Sequence, residues 1–181
     1  MHNTLTLYHG TVHDFTEINI QYGKPYKDFG RGFYVTEDFV HAKNIAERNR
    51  RIEIERLIAY GKKSNVNMFI YEYALCLPDL ENIKVLRFDK PGSEWVNFVV
   101  KNRTEPRLNH GYDLIIGATA NDDTRITIQN YLLGAYGEPE TQKAVSVFLE
   151  QIKVEKLPTQ WMFASTKATS LLRFTRRTQL L

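Results

Sequence analysis

The sequence contains a single cysteine, Cys76, among its 181 residues, so an internal disulfide is excluded. Its five histidines show no close ligand spacing and there is no Cys pair, so no metal site is predicted. Neither a Gly-x-Gly-x-x-Gly run nor a Gly-Lys-Ser/Thr loop is present. A Rossmann dinucleotide site and a phosphate-binding loop are therefore not predicted. No apolar run approaches the length of a membrane span, and MHNTLTLYHG lacks the regions of a signal peptide. These absences predict a cytoplasmic protein.

The composition is that of a globular protein, with 43% hydrophobic and 25% charged residues. A chain of this length can bury a sizeable core in one domain. No internal repeat and no low-complexity linker divides it. We predict a single domain over residues 1–175, followed by a short basic and apolar tail over residues 176–181.

The formal net charge is only +3, but the basic residues are concentrated in two segments. Seven lie between positions 43 and 63, where three glutamates accompany them, and no acidic residue follows Glu155. One interpretation is a solvated helix face and a polar tail. The other is a surface for a polyanion. The mixture of both signs on the predicted helix slightly favours the first.

Hydrophobic periodicity predicts strands and helices that do not alternate one for one. Strands are predicted over residues 5–8, 31–35, 68–77, 83–88, 112–117 and 159–164. Helices are predicted over residues 37–60, with Thr36 as N-cap and Gly61 as stop, and over residues 93–101, 123–133 and 141–152, with a closing helical turn over 166–173. This order predicts an α+β fold with an antiparallel sheet.

Three short segments carry residues suited to binding a nucleotide. YHGT ends the first predicted strand with His9, Gly10 and Thr11. GRGFYV places Tyr34 directly after two glycines, and QWMFASTKATSLL begins with Gln160. Taken singly, YHGT is typical of the end of a strand, and GRGFYV is typical of a turn that leads into a strand. Imidazole, hydroxyl and exposed backbone can also bind ribose and carboxamide groups, and Tyr can stack on a flat ring.

Together the three segments resemble the ADP-ribosyltransferase fold, in the His-Tyr-Glu class of the diphtheria-type toxins and poly(ADP-ribose) polymerases. YHGT is similar to that class's His-Gly motif. FGRGFYV is similar to its Gly-Lys-Gly-Ile-Tyr-Phe segment, with Arg31 for Lys and Phe33 for Ile. Gln160 stands where the class has Glu. The chain also resembles a bacterial family of unknown function with a DFGxGFYxT segment and a YD-hydrophobic-G…DD segment, here YDLIIGATANDD.

The resemblance implies split antiparallel β-sheets with flanking helices and NAD as co-substrate. It implies that His9 holds the adenosine ribose, that the Gly10 backbone binds the nicotinamide carboxamide, and that Thr11 assists at a nearby hydroxyl. Tyr34 would pack on the nicotinamide, and Gln160 would lie beside the nicotinamide ribose. The turn that approaches NAD would be formed by the rest of the second motif, Gly30, Arg31, Gly32 and Phe33. The implied catalytic residues are His9, Tyr34 and Gln160.

Gln160 departs from the class because an amide can accept a hydrogen bond but cannot act as a base. Growth of poly(ADP-ribose) chains is therefore not expected, whereas single transfers remain open if another carboxylate helps. The candidates for that carboxylate are Glu72, Asp113, Asp122 and Asp123. For Asp122 and Asp123, a helix cap is the favoured interpretation.

The resemblance therefore implies a mono-ADP-ribosyltransferase that modifies a protein or a nucleic acid, with a weak preference for nucleic acid or ribonucleoprotein from the basic helix. The resemblance and the small size suggest the toxin of a toxin–antitoxin or phage-defence system, with an antitoxin protein as partner. Two alternatives stay open: an RNA 2′-phosphotransferase of the same fold, and an NAD-binding module without turnover.

Overall fold

The computed structural model describes residues 3–105, 109–120, 124–152 and 157–180. Within these ranges it contains seven strands, five α-helices and two short 3₁₀ helices. The strands are β1 (Thr4–Thr11), β2 (Phe33–Thr36), β3 (Met68–Cys76), β4 (Val85–Arg87), β5 (Leu114–Ala118), β6 (Thr159–Phe163) and β7 (Arg173–Leu180). The α-helices are α1 (Phe39–Ala59), α2 (Ser93–Thr104), α3 (Thr124–Leu132), α4 (Gln142–Ile152) and α5 (Thr166–Thr169), and the 3₁₀ helices are Ile20–Tyr22 and Leu77–Asn82.

All seven described strands form one sheet in the order β4-β5-β6-β2-β1-β3-β7. The predicted α+β class is confirmed, and five of the six strand pairs are antiparallel as expected. The exception is β4 with β5, which run parallel. These two strands are connected through α2, and a parallel pair needs such a long crossover connection.

The sheet is nearly divided between β1 and β2. These strands share one residue pair, Tyr8 with Thr36, whereas β1 pairs with β3 along its whole length from Thr4 to Thr11. Past Tyr8 none of the described strands pairs with this edge of β1. We call the ends of the two strands that separate here, residues 8–11 and 33–36, the strand junction.

Each face of the sheet is covered by different elements. One face of the sheet, which we call the loop face, packs against the segment after β1, the second 3₁₀ helix and α5. The contacts include Phe15, Leu80 and Ala168. The opposite face, which we call the helical face, carries two separate clusters of buried residues. One joins α2, α3 and α4 to β5 and β6, and the other joins α1 to β1 and β3. The strand junction lies between these two groups of helices.

The long helix α1 begins two residues later than predicted. Its N-cap is Asp38, whose side chain accepts hydrogen bonds from the backbone N–H groups of Val40 and His41. Thr36, the predicted cap, is the last residue of β2, and its hydroxyl donates to the carbonyl of Thr159 in the neighbouring strand segment. A carboxylate satisfies two of the helix's free N–H groups, so Asp38 is the better cap.

The carboxyl-terminal segment is part of the sheet. Residues 176–180, predicted as a tail outside the domain, belong to β7, which pairs with β3 from Met68 to Ala74. The predicted closing helix is correspondingly short, because α5 ends at Thr169 and β7 begins at Arg173. Most of β7 is exposed, so its polar sequence shows little of the hydrophobic alternation that identifies a strand.

None of the helices in the described ranges combines the length and the apolar character needed to cross a membrane.

Candidate functional site

His9 occupies the strand junction on the loop face. Its Nδ1 lies 2.7 Å from the backbone oxygen of Tyr34, across the gap where β1 and β2 no longer pair. Its ring packs against Phe33, with ring centroids 4.4 Å apart, and meets the edge of Phe15 at 5.8 Å. The first and second sequence motifs are thus in direct contact through this imidazole.

The loop that supports His9 is held by residues far away in the sequence. Phe15 stacks on Tyr71 of β3 with ring centroids 4.1 Å apart, and its N–H donates to the Tyr71 hydroxyl over 2.8 Å. That hydroxyl lies 2.8 Å from the carboxylate of Asp14, which also pairs with Arg177 of β7. The segment predicted as a tail therefore anchors the loop beside His9.

The contacts of His9 determine its protonation. A carbonyl oxygen can only accept, so Nδ1 carries the proton that it donates to Tyr34. Burial lowers the pKa of His9 to about 4, although the hydrogen bond to Tyr34 acts in the opposite direction. The imidazole is therefore neutral at physiological pH, with its other nitrogen, Nε2, as a hydrogen-bond acceptor.

The lowered pKa predicts a stability that depends on pH. In the unfolded chain His9 takes up a proton near pH 6.5, whereas in the folded chain it does so only near pH 4. Stability is therefore expected to fall as pH decreases through this interval, by up to about 3 kcal/mol. Urea unfolding of the wild type and of His9→Asn between pH 7 and 4 would measure this. Parallel pH profiles for the two proteins would contradict the assignment.

Tyr34 is fixed by the turn that precedes β2. Its hydroxyl donates to the carbonyl of Gly30 over 2.7 Å and accepts the N–H of Phe29 over 3.1 Å. Burial first, and the charge of Asp28 second, raise the pKa of Tyr34 well above its usual range. The phenol is neutral, and its ring is held on the helical face of β2.

The two glycines of the second motif, Gly30 and Gly32, are explained by backbone conformation and by close packing. Gly30 has φ +85°, in the left-handed region that L side chains rarely adopt. Gly32 lies against β6, where a Cβ would be 2.7 Å from the carbonyl oxygen of Phe163 and closer still to the sulfur of Met162. Both glycines shape the turn into β2, and neither requires a ligand to explain it.

Gln160 lies on the helical face and is joined to Tyr34 through the same turn. It pairs with Thr36 of β2 and is 8% exposed. Its Nε2 lies 2.8 Å from Oδ2 of Asp28, whereas the hydroxyl of Tyr34 is bonded to Phe29 and Gly30. The structure thus brings the His9 ring against Phe33 and the backbone of Tyr34 on the loop face. The Tyr34 ring lies on the opposite, helical face with Gln160, and the two are connected through residues 28–30.

Asp28 is the carboxylate that the sequence reasoning missed. Of the predicted candidates, Glu72 pairs with Arg176 and lies three strands from Gln160, about 14 Å across the sheet. Asp113 binds Ser165 and the N–H of Lys84 just before β5 begins. The other two candidates, Asp122 and Asp123, lie outside the described residues. The sequence signal for Asp28 was its place in the run DFG, directly before Phe29. Because Phe29 is buried, the neighbouring carboxylate is also removed from water and needs hydrogen-bond donors.

The remaining predicted residues take the following positions. Arg31 is exposed and donates to the carbonyl of Gln21 over 2.7 Å. The hydroxyl of Thr11, which is 6% exposed, accepts the N–H of His13. Phe33 is buried in the core of the loop face, where it supports His9. Gly10 packs against α1, where a Cβ would lie only 1.8 Å from the carbonyl oxygen of Ala42, so a side chain does not fit there.

Several of the basic residues have partners within the chain. On α1, Lys43 pairs with Glu47, Arg56 pairs with Glu53, and Arg50 donates to the carbonyl of Val66. On β7, both arginines of the Arg176–Arg177 pair bind carboxylates. These pairs favour the interpretation of both segments as solvated faces. Within the described ranges no three His, Cys, Asp or Glu side chains form a group that could hold a metal ion.

Comparison with known proteins identifies one family model, described as "Protein of unknown function (DUF3990)", which matches residues 5–174. That match runs from the second residue of β1 to the start of β7 and includes the positions of His9, Tyr34 and Gln160. No curated protein matches the chain significantly.

Proposed function

The chain belongs to this DUF3990 family, and we propose from its site that it is an NAD-dependent mono-ADP-ribosyltransferase acting on a macromolecule. The observation that carries the proposal is the strand junction. There a neutral histidine, whose Nε2 can accept a hydrogen bond, meets the backbone of the second motif across a gap in the sheet. The resemblance implies two split sheets; here the strands form one sheet, and the single residue pair between β1 and β2 supports the proposal only as a narrow point in it.

NAD would pass through the gap at the strand junction, between His9 on the loop face and Tyr34 on the helical face. Nε2 of His9 is suited to accept a hydrogen bond from a ribose hydroxyl. Gly10 lies two residues after Tyr8, which forms the single residue pair between β1 and β2. At Gly10 this edge of β1 has no strand partner among the described residues. The backbone of Gly10 is the one proposed to bind the carboxamide. Tyr34, fixed at its hydroxyl, offers a rigid ring for the nicotinamide to pack against.

The reaction would break the glycosidic bond between ribose C1′ and the nicotinamide nitrogen. The bonding electron pair leaves with nicotinamide, whose cationic ring becomes neutral, so no general acid is needed. The acceptor's nucleophile forms the new bond to C1′ and loses its proton to water, since an amide cannot take it. The transition state is oxocarbenium-like, as in glycoside hydrolysis. The protein contributes mainly by positioning and by the field around the ribose.

Label transfer tests this proposal. Wild-type protein incubated with adenylate-labelled NAD and a bacterial lysate is expected to produce macromolecular label and free nicotinamide. Digestion with protease or nuclease then identifies the acceptor class, and a companion antitoxin would be expected to suppress the transfer. ADP-ribose cyclic phosphate released from 2′-phosphorylated RNA would instead identify the phosphotransferase alternative.

A binding module without turnover is the second candidate, because the amide of Gln160 is engaged inside the protein. NAD binding in a calorimeter without any nicotinamide release, with lysate present, would favour it and would overturn the transferase proposal.

A further inference from the structure

A buried carboxylate joins four segments of the chain behind the proposed site. Oδ2 of Asp28 lies 2.8 Å from Nε2 of Gln160 in β6 and 2.8 Å from the backbone N–H of Ala120 after β5. Oδ1 binds the guanidinium of Arg103 at the end of α2 through both Nε, at 2.8 Å, and Nη2. Asp28 is 5% exposed, so these four donors replace the water that it loses.

The surroundings determine which end of the Gln160 amide faces Asp28. The nearest polar groups at that end are the Asp28 carboxylate and, at 3.4 Å, the carbonyl oxygen of Ala118. Carboxylates and carbonyls only accept hydrogen bonds, so the donating NH₂ group must face them. The amide oxygen, Oε1, is therefore held on the opposite side of the amide carbon.

We propose that Asp28 is a positioning residue that holds the Gln160 amide with its oxygen toward the nicotinamide ribose. The inference rests on the proposed function. A hydrogen bond donated to a carboxylate also polarises the amide, which makes Oε1 a stronger acceptor for a ribose hydroxyl. Asp28 thus acts through Gln160 and does not touch NAD itself.

The same contact explains why glutamine occupies this position. A glutamate at position 160 would place a second carboxylate within hydrogen-bonding distance of Asp28. Two buried carboxylates so close cannot both be ionised, because each raises the other's pKa. The identity of residue 160 and that of residue 28 are therefore coupled.

Exchanging the two groups tests this coupling. The proteins are the wild type, Asp28→Asn, Gln160→Glu and the double exchange Asp28→Asn/Gln160→Glu. Glu53→Gln is the matched control, since Glu53 also binds an arginine guanidinium through two nitrogens, those of Arg56, but within α1. Each protein is checked for folding by thermal melting, and kcat and KM are measured from nicotinamide release with NAD.

Asp28→Asn is expected to lower kcat about 100-fold with little change in KM, because the acceptor oxygen is no longer oriented. Gln160→Glu is expected to lose kcat similarly, and to recover part of it at acid pH, where the carboxylate pair shares a proton. The double exchange restores an amide–carboxylate pair and is expected to return to within about tenfold of wild type. Glu53→Gln is expected to keep the wild-type kcat.

A Gln160→Glu protein as active as the wild type, or a double exchange no better than both singles, would overturn the inference. The nuclear magnetic resonance signal of the Gln160 side-chain amide gives a readout independent of activity. Its protons are expected to exchange slowly in the wild type and rapidly in Asp28→Asn. If the wild type releases no nicotinamide, the transferase proposal fails by itself, and unchanged amide exchange in Asp28→Asn would separately remove the pairing.

Discussion

Replacing His9 by Asn is expected to weaken NAD binding about 10- to 100-fold while the fold is kept. The Asn side chain places an amide nitrogen near the position of Nδ1, so it can still donate to the Tyr34 carbonyl 2.7 Å away. It has no atom at the position of Nε2, and the ribose hydroxyl loses its acceptor. Calorimetry with NAD measures the affinity, and thermal melting reports the fold.

His9→Gln is the complementary variant, because its amide reaches the position of Nε2 but not that of Nδ1. It is expected to bind NAD better than His9→Asn, and to be less stable because the bond across the strand junction is lost. His41→Asn, in α1, serves as the control. Equal affinity for NAD in His9→Asn and wild type would remove His9 from the proposed site.

Gly10→Ala is expected to destabilise the protein by about 3 kcal/mol or more. A Cβ at this position would lie 1.8 Å from the carbonyl oxygen of Ala42 and 3.2 Å from the backbone nitrogen of Ala46, both in α1. These are backbone atoms of a helix whose buried residues pack on β1 and β3, so the whole helix would have to move. Such a movement also changes the strand junction, and NAD affinity is expected to fall with stability.

Gly92→Ala is the matched control for this effect. A Cβ at Gly92 meets no atom within 4 Å, and the residue is the N-cap of α2, so a loss of about 1 kcal/mol or less is expected. Urea unfolding at a fixed pH measures both variants. If Gly10→Ala were no less stable than Gly92→Ala, the close packing of α1 on β1 would be wrong.

The secondary structure could be predicted where local periodicity is strong. The alternation in MFIYEYALC and the apolar face of α4 identified both elements within a few residues of their bounds. The cap of α1 was displaced by two residues, because Thr36 and Asp38 are both good N-caps and only the pairing of Thr36 in β2 decides between them. Strand β7 was missed since an exposed edge strand needs no apolar alternation.

The sequence by itself determined the α+β class, and it singled out His9, Gly10, Tyr34 and Gln160 as predicted site residues, because residue types and their order along the chain can be read without the fold. Only the tertiary structure decided what these residues contact. The partner of Gln160 is Asp28, 132 positions away, and the loop beside His9 is held by Arg177, 163 positions from Asp14. Contacts at such separations depend on strand order and register, which local propensity does not encode.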